Sequence, residues 1–307
     1  MDVAILSART GWHTDELCRA LAERHHVARV LAYEGLRARL GTAWGPGSLA
    51  SGGAAILDAD AVLARIIPNG SLEQIIHRVD ALHWIEERGV LVMNSPRAIE
   101  RAVDKFYTTA LLQEAGLPVP DTVVCEGVDE AMAATLDMGD VIVKPIFGSM
   151  GRGMMRVSDP DIGYRVFRTL EQLQAVFYLQ RAVDHGGRDV RVFVVSARAI
   201  GAIERRAPDG DWRTNVSRGG SARLVDLPAA WEQLALRAAA VVGADYAGVD
   251  LLPSRDGRVF VLEVNGIPGW RALQSAGQLD VADTIVDCLE RRVDAARKEA
   301  CSAPPRV

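Results

Sequence analysis

Residues 247–270 read AGVDLLPSRDGRVFVLEVNGIPGW and contain two apolar runs joined by the turn sequence SRDG. An Asp-Gly pair between two such runs predicts an antiparallel hairpin. Asp250 lies inside the first run, and Glu263 and Asn265 lie two residues apart on one face of the second. These hard oxygen ligands are typical of a Mg²⁺ site that shares its ion with nucleotide phosphates. A hairpin that carries ordinary surface acids is the alternative.

Length and composition describe a globular protein with room for two or three packed units. The chain has 307 residues, of which 49% are apolar and 24% charged, and its net charge is −5. This acidic balance argues against nucleic acid or an anionic membrane as a partner. The run Val3–Leu6 predicts a strand rather than a signal peptide, and no apolar run reaches the length of a membrane span. We therefore expect a cytoplasmic protein with no nucleic-acid or membrane partner.

The cysteines and lysines narrow the class of site to look for. Cys18, Cys125, Cys288 and Cys301 are scattered without the spacing of a metal or disulfide framework, which predicts reduced, structural thiols. Only three of the 35 Lys and Arg residues are lysines, at positions 105, 144 and 298. Lys144 follows the apolar run Val-Ile-Val. A lysine kept inside a strand of an arginine-rich chain indicates a site that needs a compact point charge.

The first 93 residues alternate predicted strands and helices, as a small parallel α/β unit does. Ser71 and Gln74 form a capping-box pattern at the start of the second helix. The first strand leads into SARTG, which lacks the GxGxxG spacing of a nicotinamide-binding fold. Residues 45–53, rich in Gly, Ser and Pro, predict a mobile loop. The predicted strands are Val3–Leu6, Ala28–Ala32, Ala61–Ala64 and Val90–Met93, and the predicted helices are His13–Arg24 and 71–88.

A second unit is predicted from Asn94 onward, beginning with a helix that has Pro96 in its first turn. A helix at 105–114, capped by Asp104, and strands at 122–124, 141–144 and 155–157 follow. The segment GSMGRGM at 148–154 fits neither a P-loop nor a Rossmann spacing. Because Lys144 lies just before it, the segment suits a phosphate cover made of backbone N–H groups and an ammonium. A simple hairpin turn is the alternative.

Charged residues recur along three further predicted strands, at 177–180, 189–195 and 199–205. Asp189 and Arg191 share one face of the second of these strands, where an ordinary ion pair between them is the alternative to a functional role. The sequences ERR, DWRTN and RGG bring three or four arginines near one loop. This suggests an anion site, with a solvated loop as the alternative. Helices are predicted at 231–242 and 280–298, and a disordered tail at 299–307.

Five stretches carry a resemblance to a known family. They are VDKFYTTALLQEAGLPVPDTVV, VIVKPIFGSMGRGMMRV, DVRVFVV, AIERRAPDGDWRTNVSRGG and the hairpin AGVDLLPSRDGRVFVLEVNGIPGW. In combination they resemble the ATP-grasp superfamily, and within it the RimK-type α-L-glutamate ligases, over about residues 94–290. The sequences GSLEQII and NSPRAIERAVDKF resemble the branch that glutamylates pterin or deazaflavin coenzymes, especially tetrahydromethanopterin.

The resemblance implies an α/β chain with an α+β grasp fold. An N-terminal parallel α/β domain, residues 1–93, would precede a two-lobed ATP-grasp domain, residues 94–298. Within the latter, residues 94–180 would form the central lobe and residues 181–298 the C-terminal lobe, with 299–307 as the disordered tail. ATP is expected between two antiparallel sheets, under the Gly-rich segment, with its adenine on a linker at 180–183.

The resemblance also implies the site residues. Those expected to bind ATP are Lys105, Lys144, Gly148, Ser149, Gly151, Gly153, Gln180, Arg181, Ala182, Val183, Asp189, Arg213, Thr214 and Asn215. The expected ligands of two Mg²⁺ ions, or of Mn²⁺, are Asp250, Glu263 and Asn265, with Glu263 bridging both ions. Arg205 or Arg206 is expected to steady the reaction intermediate. Arg181 and Ala182 stand where relatives often carry an acid and an aromatic residue, so this chain departs from the family at the adenine edge.

The reaction that the resemblance implies is ATP-dependent ligation of a carboxylate to an amine. The carboxylate takes the γ-phosphate of ATP and becomes an acyl phosphate, with ADP as the leaving group, while Mg²⁺ and lysines offset the charge on the transferring group. The amine of L-glutamate then attacks, the C–O bond to phosphate breaks, and phosphate leaves as the amide forms. A small coenzyme is the expected carboxylate acceptor, and a homo-oligomer is expected because relatives are often dimers or tetramers. The alternatives are glutamate ligation to a protein C-terminus, a non-catalytic ATP-binding regulatory protein, and an ATP-grasp kinase or carboxylase.

Overall fold

The computed structural model describes residues 1–148, 151–214 and 219–302. The strands are β1 (Asp2–Ser7), β2 (Val27–Ala32), β3 (Leu36–Arg39), β4 (Ser48–Ser51), β5 (Ala54–Ala55), β6 (Ala61–Ala64), β7 (Leu91–Met93), β8 (Thr122–Cys125), β9 (Val141–Lys144), β10 (Met155–Val157), β11 (Phe177–Arg181), β12 (Arg188–Val195), β13 (Arg198–Arg206), β14 (Ser221–Leu224), β15 (Tyr246–Pro253) and β16 (Val259–Asn265). The helices are α1 (Trp12–Glu23), α2 (Leu72–Glu87), α3 (Pro96–Val103), α4 (Lys105–Glu114), α5 (Val128–Met138), α6 (Pro160–Gln172), α7 (Ala229–Val242), α8 (Arg271–Gly277) and α9 (Val281–Ser302).

The N-terminal residues form the predicted parallel sheet, in the strand order β2-β1-β6-β7. Residues Val3–Leu6 of β1 have no exposed surface, because helices cover both faces of the sheet. The predicted capping box begins α2: the Gln74 N–H donates to Ser71 Oγ at 3.3 Å, and the Ser71 N–H donates to Gln74 Oε1 at 3.0 Å. The alternation of apolar runs and helical patterns therefore predicted this unit correctly.

The predicted loop at 45–53 is wrong in part. Four of its residues form β4, which pairs antiparallel with β3 and with β5. Leu49 is buried, and the buried Ser51 hydroxyl donates to Ala32 O at 2.7 Å. These two inward side chains lie two residues apart, which is the period of a strand. The surrounding glycines, which form the turns, obscured that period in the sequence.

Strands β8 to β11 form an antiparallel sheet in the order β10-β9-β11-β8. Helices α5 and α6 pack on it, and Phe167 stacks on Phe177 with the ring centroids 5.7 Å apart. The sequence analysis did not predict these two helices. For α6 a signal was present, because Asp159 caps the helix by accepting a hydrogen bond from the Ile162 N–H at 3.0 Å and Pro160 occupies its first position.

Strands β12 to β16 form a five-stranded antiparallel sheet in the order β14-β13-β12-β15-β16. Val190 and Val192 of β12 pack in the core that α7 covers. Asp189 and Arg191 alternate with them and therefore face the other side of the sheet. The predicted hairpin is confirmed: β15 and β16 pair antiparallel, with a bulge directly after Asp250. This pairing places Asp250 opposite Glu263, so the two carboxylates of the three-residue predicted metal site come together.

The N-terminal sheet and the C-terminal lobe share one hydrophobic core. Val3 and Leu17 belong to the same buried cluster as Phe193 of β12, Trp270 and Ile285 of α9. Burial of this apolar surface on both sides stabilises the contact between the two parts of the chain. Met93, the last residue before the predicted boundary, belongs to the same core.

Asn94 strengthens the joint at this boundary. It is fully buried, and its Nδ2 donates to Tyr246 O at 2.8 Å and to Gly266 O at 2.6 Å. Its Oδ1 accepts from the N–H groups of Asp245 at 2.7 Å and Tyr246 at 3.1 Å. A buried amide with both donors and its acceptor satisfied fixes the backbone around it. The chain between the two domains is therefore held to the C-terminal sheet, while the boundary itself stays a prediction.

The C-terminal helix is longer than predicted. Helix α9 runs to Ser302, so the expected disorder of residues 299–302 is wrong. The sequence ARKEACS holds good helix formers and neither Gly nor Pro, so no local signal ends the helix earlier. The remainder of the predicted tail, 303–307, lies outside the described residues. Among the helices in the described part of the chain, none combines the length and apolar character needed to cross a bilayer.

We expect the stability of the protein to fall as the pH falls from 6.5 toward 4, in part through His13. This ring packs edge-on against Trp270, and burial, with the charges of Arg65 and Arg271, lowers its pKa from 6.5 to about 4. Within that window the unfolded chain binds a proton that the folded chain does not, so acid favours unfolding. Urea midpoints of the wild type and His13→Gln at pH 7 and pH 5 test this. An acid-induced drop of equal size in both proteins would contradict it.

Candidate active site

Five charged side chains meet on the face of the C-terminal sheet opposite α7. The strand register pairs Asp189 with Arg205, Arg191 with Asp250, and Asp250 with Glu263. Residues directly opposite each other on adjacent strands point to the same side of a sheet. The sequence thus carries one or two charges on each of four strands, and the register places all of them side by side.

Two aspartates and two arginines of this face form a buried network. Arg205 donates to Asp189 through Nε and Nη2, both at 2.6 Å, and its Nη2 lies 2.8 Å from Asp250 Oδ2. Arg191 donates to Asp250 through Nε at 2.6 Å and Nη2 at 2.7 Å. Burial opposes the ionisation of Asp250, but the charges of Arg191 and Arg205 outweigh it and hold its pKa at about 2. Two aspartates face two arginines in this network, so its formal charges balance.

The position of Asp189 bears on two expectations. Both of its carboxylate oxygens are engaged by Arg205, and the Thr214 hydroxyl also donates to Oδ2. Asp189 and Thr214 therefore hold Arg205 in place, and their expected contact with the nucleotide stays a prediction. The ordinary ion pair considered between Asp189 and Arg191 on β12 is wrong, because each pairs across the sheet with another strand.

The arginines of the predicted anion loop are also paired. Arg206 follows Arg205 on β13 and points to the opposite face, where its exposed guanidinium donates to Glu204 Oε1 at 2.8 Å. Arg213 donates to Asp211 Oδ1 at 2.9 Å. These contacts do not support Arg206 as a catalytic group or Arg213 as a phosphate ligand. Of the two arginines expected to steady the intermediate, Arg205 is the one that lies on the charged face. Asn215 and Arg218 lie outside the described residues.

Replacing Arg206 by glutamine is expected to leave turnover within about twofold of the wild type, because exposed ion pairs contribute at most about 1 kcal/mol. The Arg206 side chain is 55% exposed and contacts the face of the sheet away from Asp250. Steady-state ADP release by Arg206→Gln and by Arg205→Gln separates the two residues. A tenfold or larger loss in Arg206→Gln would reinstate it as a catalytic residue.

Lys144 is the buried lysine that the sequence singled out. Lys144 is the last residue of β9. Its Nζ donates to Gln180 Oε1 at 2.5 Å and lies 5.8 Å from the centre of the Tyr178 ring. Burial lowers the pKa of Lys144 to about 8, against the opposing charge of Glu263. Gln180 in turn donates to Thr122 Oγ1 at 3.0 Å and to Tyr178 Oη at 3.1 Å. These bonds fix the amide of Gln180, which in turn orients the ammonium of Lys144.

Lys105 connects α4 to the Gly-rich segment. Its Nζ donates to Ile146 O at 3.2 Å and to Gly148 O at 2.8 Å. Burial lowers its pKa, and the charge of Glu263 opposes that shift. Gly153 has φ +72° and a Cβ there would lie 2.9 Å from Pro145 Cγ, so only glycine fits. Gly151 also has positive φ, +66°, and Ser149 lies outside the described residues.

Glu263 is the carboxylate that faces both lysines. It makes no hydrogen bond or ion pair with the described residues, whereas its charge acts on Lys105, Lys144 and Tyr178. Its neighbour Asn265 accepts the Ile267 N–H on Oδ1 at 2.9 Å, which leaves one lone pair of that oxygen. Among the described residues no three His, Cys, Asp or Glu side chains group as metal ligands. The predicted set of two carboxylates and one amide stays the candidate metal site.

The donor chemistry of that set fits Mg²⁺, with one correction. The arginines already occupy three of the roughly four acceptor positions of the Asp250 carboxylate, one on Oδ1 and two on Oδ2. Asp250 is thus first a partner of Arg191 and Arg205, and it has room for one further bond. Glu263, with both oxygens uncommitted, and Asn265 are the better placed ligands.

The linker at 180–183 borders an open cavity of about 640 Å³ that is also lined by Phe260 and the hairpin turn at 254–258. The Arg181 N–H donates to Asp121 O and the Ala182 N–H to Asp140 O, both at 2.8 Å. Among the described residues no group accepts the Val183 N–H. Of the linker N–H groups expected to bond to the edge of adenine, that of Val183 is the one without an acceptor among the described residues.

This geometry, with two lysines and a carboxylate set between two antiparallel sheets, agrees with a sequence comparison. A family model described as a RimK-like ATP-grasp domain matches residues 102–289. The chain belongs to the RimK-like ATP-grasp family. The match spans the sheet of β8 to β11 and the sheet of β12 to β16. The lysines and carboxylates described above lie between these two sheets.

Individual relatives of this RimK-like chain agree. The tetrahydromethanopterin:alpha-L-glutamate ligase of Methanosarcina acetivorans is 36% identical over 273 residues, which cover 80% of this chain and 84% of that protein. A RimK domain ATP-grasp protein of Sphaerobacter thermophilus has a TM-score of 0.73 at 24% identity, covering 94% of this chain and 99% of that chain. The ATP-grasp ligase PsnB, solved with a precursor variant, Mg and ADP, has a TM-score of 0.71 at 23% identity, covering 96% and 98%.

The RimK-like chain is therefore an ATP-grasp acid–amino-acid ligase that forms ADP. Sequence reasoning missed Tyr178 and Thr122. These two side chains hold the amide of Gln180 and so orient the buried Lys144. Tyr178 precedes Gln180 by two residues on β11, so the period of a strand places both on one face. That spacing was a signal for Tyr178, whereas Thr122 joins the site only through the pairing of β8 with β11.

Proposed function

We propose that this ligase joins the amine of L-glutamate to a carboxylate of a small coenzyme, through an acyl phosphate formed with ATP. One observation carries the proposal: Glu263 forms no hydrogen bond or ion pair with the described residues, and its charge acts on both Lys105 and Lys144. A carboxylate that faces two ammonium groups suits a metal–phosphate centre. The 36% identity to a protein named as a tetrahydromethanopterin:alpha-L-glutamate ligase supports a pterin-type acceptor.

Nucleotide binding follows from the polar groups with spare capacity. Lys144 and Lys105 supply two point charges for phosphate oxygens. Gln180 orients Lys144, and Lys105 also donates a hydrogen bond to the Gly-rich segment. The Val183 N–H and the cavity beside it suit the adenine edge. PsnB, which shares the fold, was solved with Mg and ADP, which supports the same nucleotide here.

Glu263, Asn265 and the remaining lone pair of Asp250 would hold Mg²⁺. When bound, the ion neutralises charge on the transferring phosphoryl group. Arg205 and Arg191 complete the site with a fixed positive edge. Each uses Nε and Nη2 for its aspartates, and Nη1 has no partner among the described residues. These Nη1 groups are preorganised donors for the oxygens of the acyl phosphate and of the tetrahedral intermediate that follows it.

A peptide acceptor is the second candidate. PsnB, with 23% identity and a fold match over 96% of this chain, was solved with precursor peptides. That likeness concerns the fold, and the identity to the coenzyme ligase is higher. The two candidates differ only in the molecule that presents the carboxylate, because the charged face described above serves either one.

Hydroxylamine trapping tests the acyl phosphate directly. The enzyme is incubated with Mg·ATP, hydroxylamine and either a reduced tetrahydropterin carboxylate or a short acidic peptide, with no glutamate. We expect a hydroxamate of the pterin carboxylate, seen by mass spectrometry, in proportion to ADP. A hydroxamate of the peptide alone would favour the second candidate, and ADP release without any hydroxamate would contradict the acyl-phosphate route.

A further inference from the structure

A second cationic site lies where the N-terminal sheet meets the loop that follows Asn265. We name it the Trp270 pocket and define it by Trp12, His13, Arg65, Trp270 and Arg271. The Arg65 guanidinium lies 4.8 Å from the centre of the Trp270 ring, and that of Arg271 lies 5.7 Å from the centre of the Trp12 ring. His13 meets Trp270 edge-on with the ring centres 4.6 Å apart. The catalytic face described above uses none of these five side chains.

Arg65 brings a buried charge to this pocket. It is 3% exposed, and it donates through Nη1 to Tyr246 Oη and through Nη2 to Pro268 O, both at 3.1 Å. Both acceptors are neutral. Among the described residues no carboxylate forms an ion pair with Arg65 or with Arg271. A guanidinium held out of water without a counter-ion is costly, so the site favours an anion from outside the chain.

His13 adds a neutral donor of fixed orientation. The Trp270 N–H donates to His13 Nε2 at 3.2 Å, so the second ring nitrogen, Nδ1, carries the hydrogen of the neutral ring. Nδ1 has no partner among the described residues. The Trp270 indole Nε1 is likewise buried without a partner among those residues, on a side chain that is 1% exposed. The pocket therefore holds unused N–H donors beside its two guanidinium groups.

The position of the pocket in the fold also favours an anion. It lies at the carboxyl ends of β1 and β6, two adjacent parallel strands near the centre of the N-terminal sheet. Crevices at the carboxyl ends of open parallel sheets are common ligand sites. Helix α1 begins there, and its cap Gly11 offers no side chain to the first N–H groups. The positive end of this helix adds to the field of the arginines.

The Trp270 pocket adjoins the catalytic face. Pro268, whose carbonyl accepts from Arg65, packs against Gly248, where a Cβ would lie 3.0 Å from Pro268 Cβ and 3.5 Å from Arg191 Nε. Gly248 pairs with Asn265, one of the candidate metal ligands. The cavity at the linker lies toward the other end of β15, where the hairpin turns at 254–258. Along β15, the linker cavity, the charged face and the Trp270 pocket therefore follow one another in that order.

We propose that the Trp270 pocket binds a carboxylate of the substrate that does not react, with Arg65, Arg271 and the His13 Nδ1–H as its donors. The inference rests on the proposed function, because L-glutamate keeps both of its carboxylates when its amine forms the new amide. The acceptor can carry a second carboxylate as well, and the chemistry of recognition is the same. Planar guanidinium groups suit a carboxylate from either source.

Calorimetric titration of L-glutamate into the enzyme saturated with Mg·AMPPNP tests the pocket without turnover. Arg271→Gln changes an exposed side chain, and His13→Gln keeps an acceptor for the Trp270 N–H while it removes the Nδ1–H donor. We expect each to weaken L-glutamate binding at least tenfold, and AMPPNP binding to stay unchanged. The matched control is Arg88→Gln, an exposed arginine that precedes the amino end of β7, at the opposite edge of the sheet.

L-Glutamine identifies the carboxylate that is bound. If the pocket holds the side-chain carboxylate, glutamine binds weakly to the wild type and Arg271→Gln weakens it no further. If it holds the α-carboxylate, both amino acids lose affinity equally. Unchanged glutamate binding with a KM for the coenzyme carboxylate raised at least tenfold assigns the pocket to the acceptor.

Two results overturn the proposal: unchanged affinity for glutamate and for the acceptor in both variants, or no binding of either by the wild type. Absence of glutamate-dependent ADP release by the wild type, with glutamate binding that still depends on Arg271, would reject the proposed function and leave the pocket standing. Failure of the pocket and failure of the function are therefore distinguishable.

Discussion

Glu263→Gln is expected to lower kcat by about 10³-fold or more, the scale of losing a central electrostatic group in an active site. The amide keeps the shape of the side chain and removes the charge that faces Lys105 and Lys144. It also removes the one carboxylate of the charged face that is uncommitted among the described residues, and with it the ligand expected to bridge two ions. The measurement is ADP release at saturating Mg·ATP, with Mg²⁺ varied over a wide range.

Glu171→Gln is the matched control for Glu263→Gln. Glu171 lies on α6, where it accepts from Arg168 Nη1 at 2.5 Å and its side chain is 42% exposed. It belongs neither to the charged face nor to the lining of the linker cavity, so turnover close to the wild type is expected. Turnover by Glu263→Gln that stays within tenfold of the wild type, at the same Mg²⁺ dependence, would remove Glu263 from the metal site.

Lys144→Arg is expected to lower kcat/KM for ATP by about 100-fold or more. Lys144 is 7% exposed, and its Nζ fits between Gln180 Oε1 at 2.5 Å and the Tyr178 ring. A guanidinium is wider than an ammonium and donates in a plane, so it neither fits this space nor presents a single point charge to phosphate. A fold-sensitive measurement, such as the urea midpoint, accompanies the kinetics, because overpacking a buried site costs about 1–3 kcal/mol.

Lys298→Arg is the control that the chain itself offers, since Lys298 is exposed on α9 and belongs neither to the charged face nor to the lining of the linker cavity. The two substitutions are chemically identical, so any difference between them reports the environment of Lys144. Near wild-type kcat/KM in Lys144→Arg would remove the phosphate role of this lysine, even if the protein were less stable.

The elements of the fold that could be predicted are those with strong local patterns. The hairpin of β15 and β16 follows from two apolar runs around an Asp-Gly turn, and α2 from a capping box. Strand β4 was missed because its inward Leu49 and Ser51 lie among turn-forming glycines. Local pattern thus predicts an element well when one period dominates and poorly when a short strand is enclosed by turns.

The pairing of charges in the candidate site could not be predicted from local pattern. Arg205 binds Asp189, 16 residues earlier in the chain, and Arg191 binds Asp250, 59 residues later. These partners depend on which strands become neighbours and in what register, and no spacing along the chain encodes that. For this reason the sequence could name charged residues for the site, but it could not show that Asp189 pairs with Arg205 or that Arg206 pairs with Glu204 on the other face.

The shared core behind the site was equally hidden. Trp270 ends the hairpin segment, yet it packs with His13 and Arg65 of the N-terminal unit. The sequence analysis treated residues 1–93 as a preceding domain and assigned them no part in substrate binding. The structure joins the N-terminal unit to the C-terminal sheet through one core, because α9 packs on α1 and Asn94 is bonded to that sheet.

The central claim is most directly tested by ADP release from Mg·ATP in the presence of a reduced tetrahydropterin carboxylate, with and without L-glutamate, followed by the mass of the product. The account predicts glutamate-dependent ADP release and a product heavier than the pterin by one or more glutamyl units. ADP release that ignores glutamate, or that leaves the pterin mass unchanged while glutamate is consumed elsewhere, would contradict it.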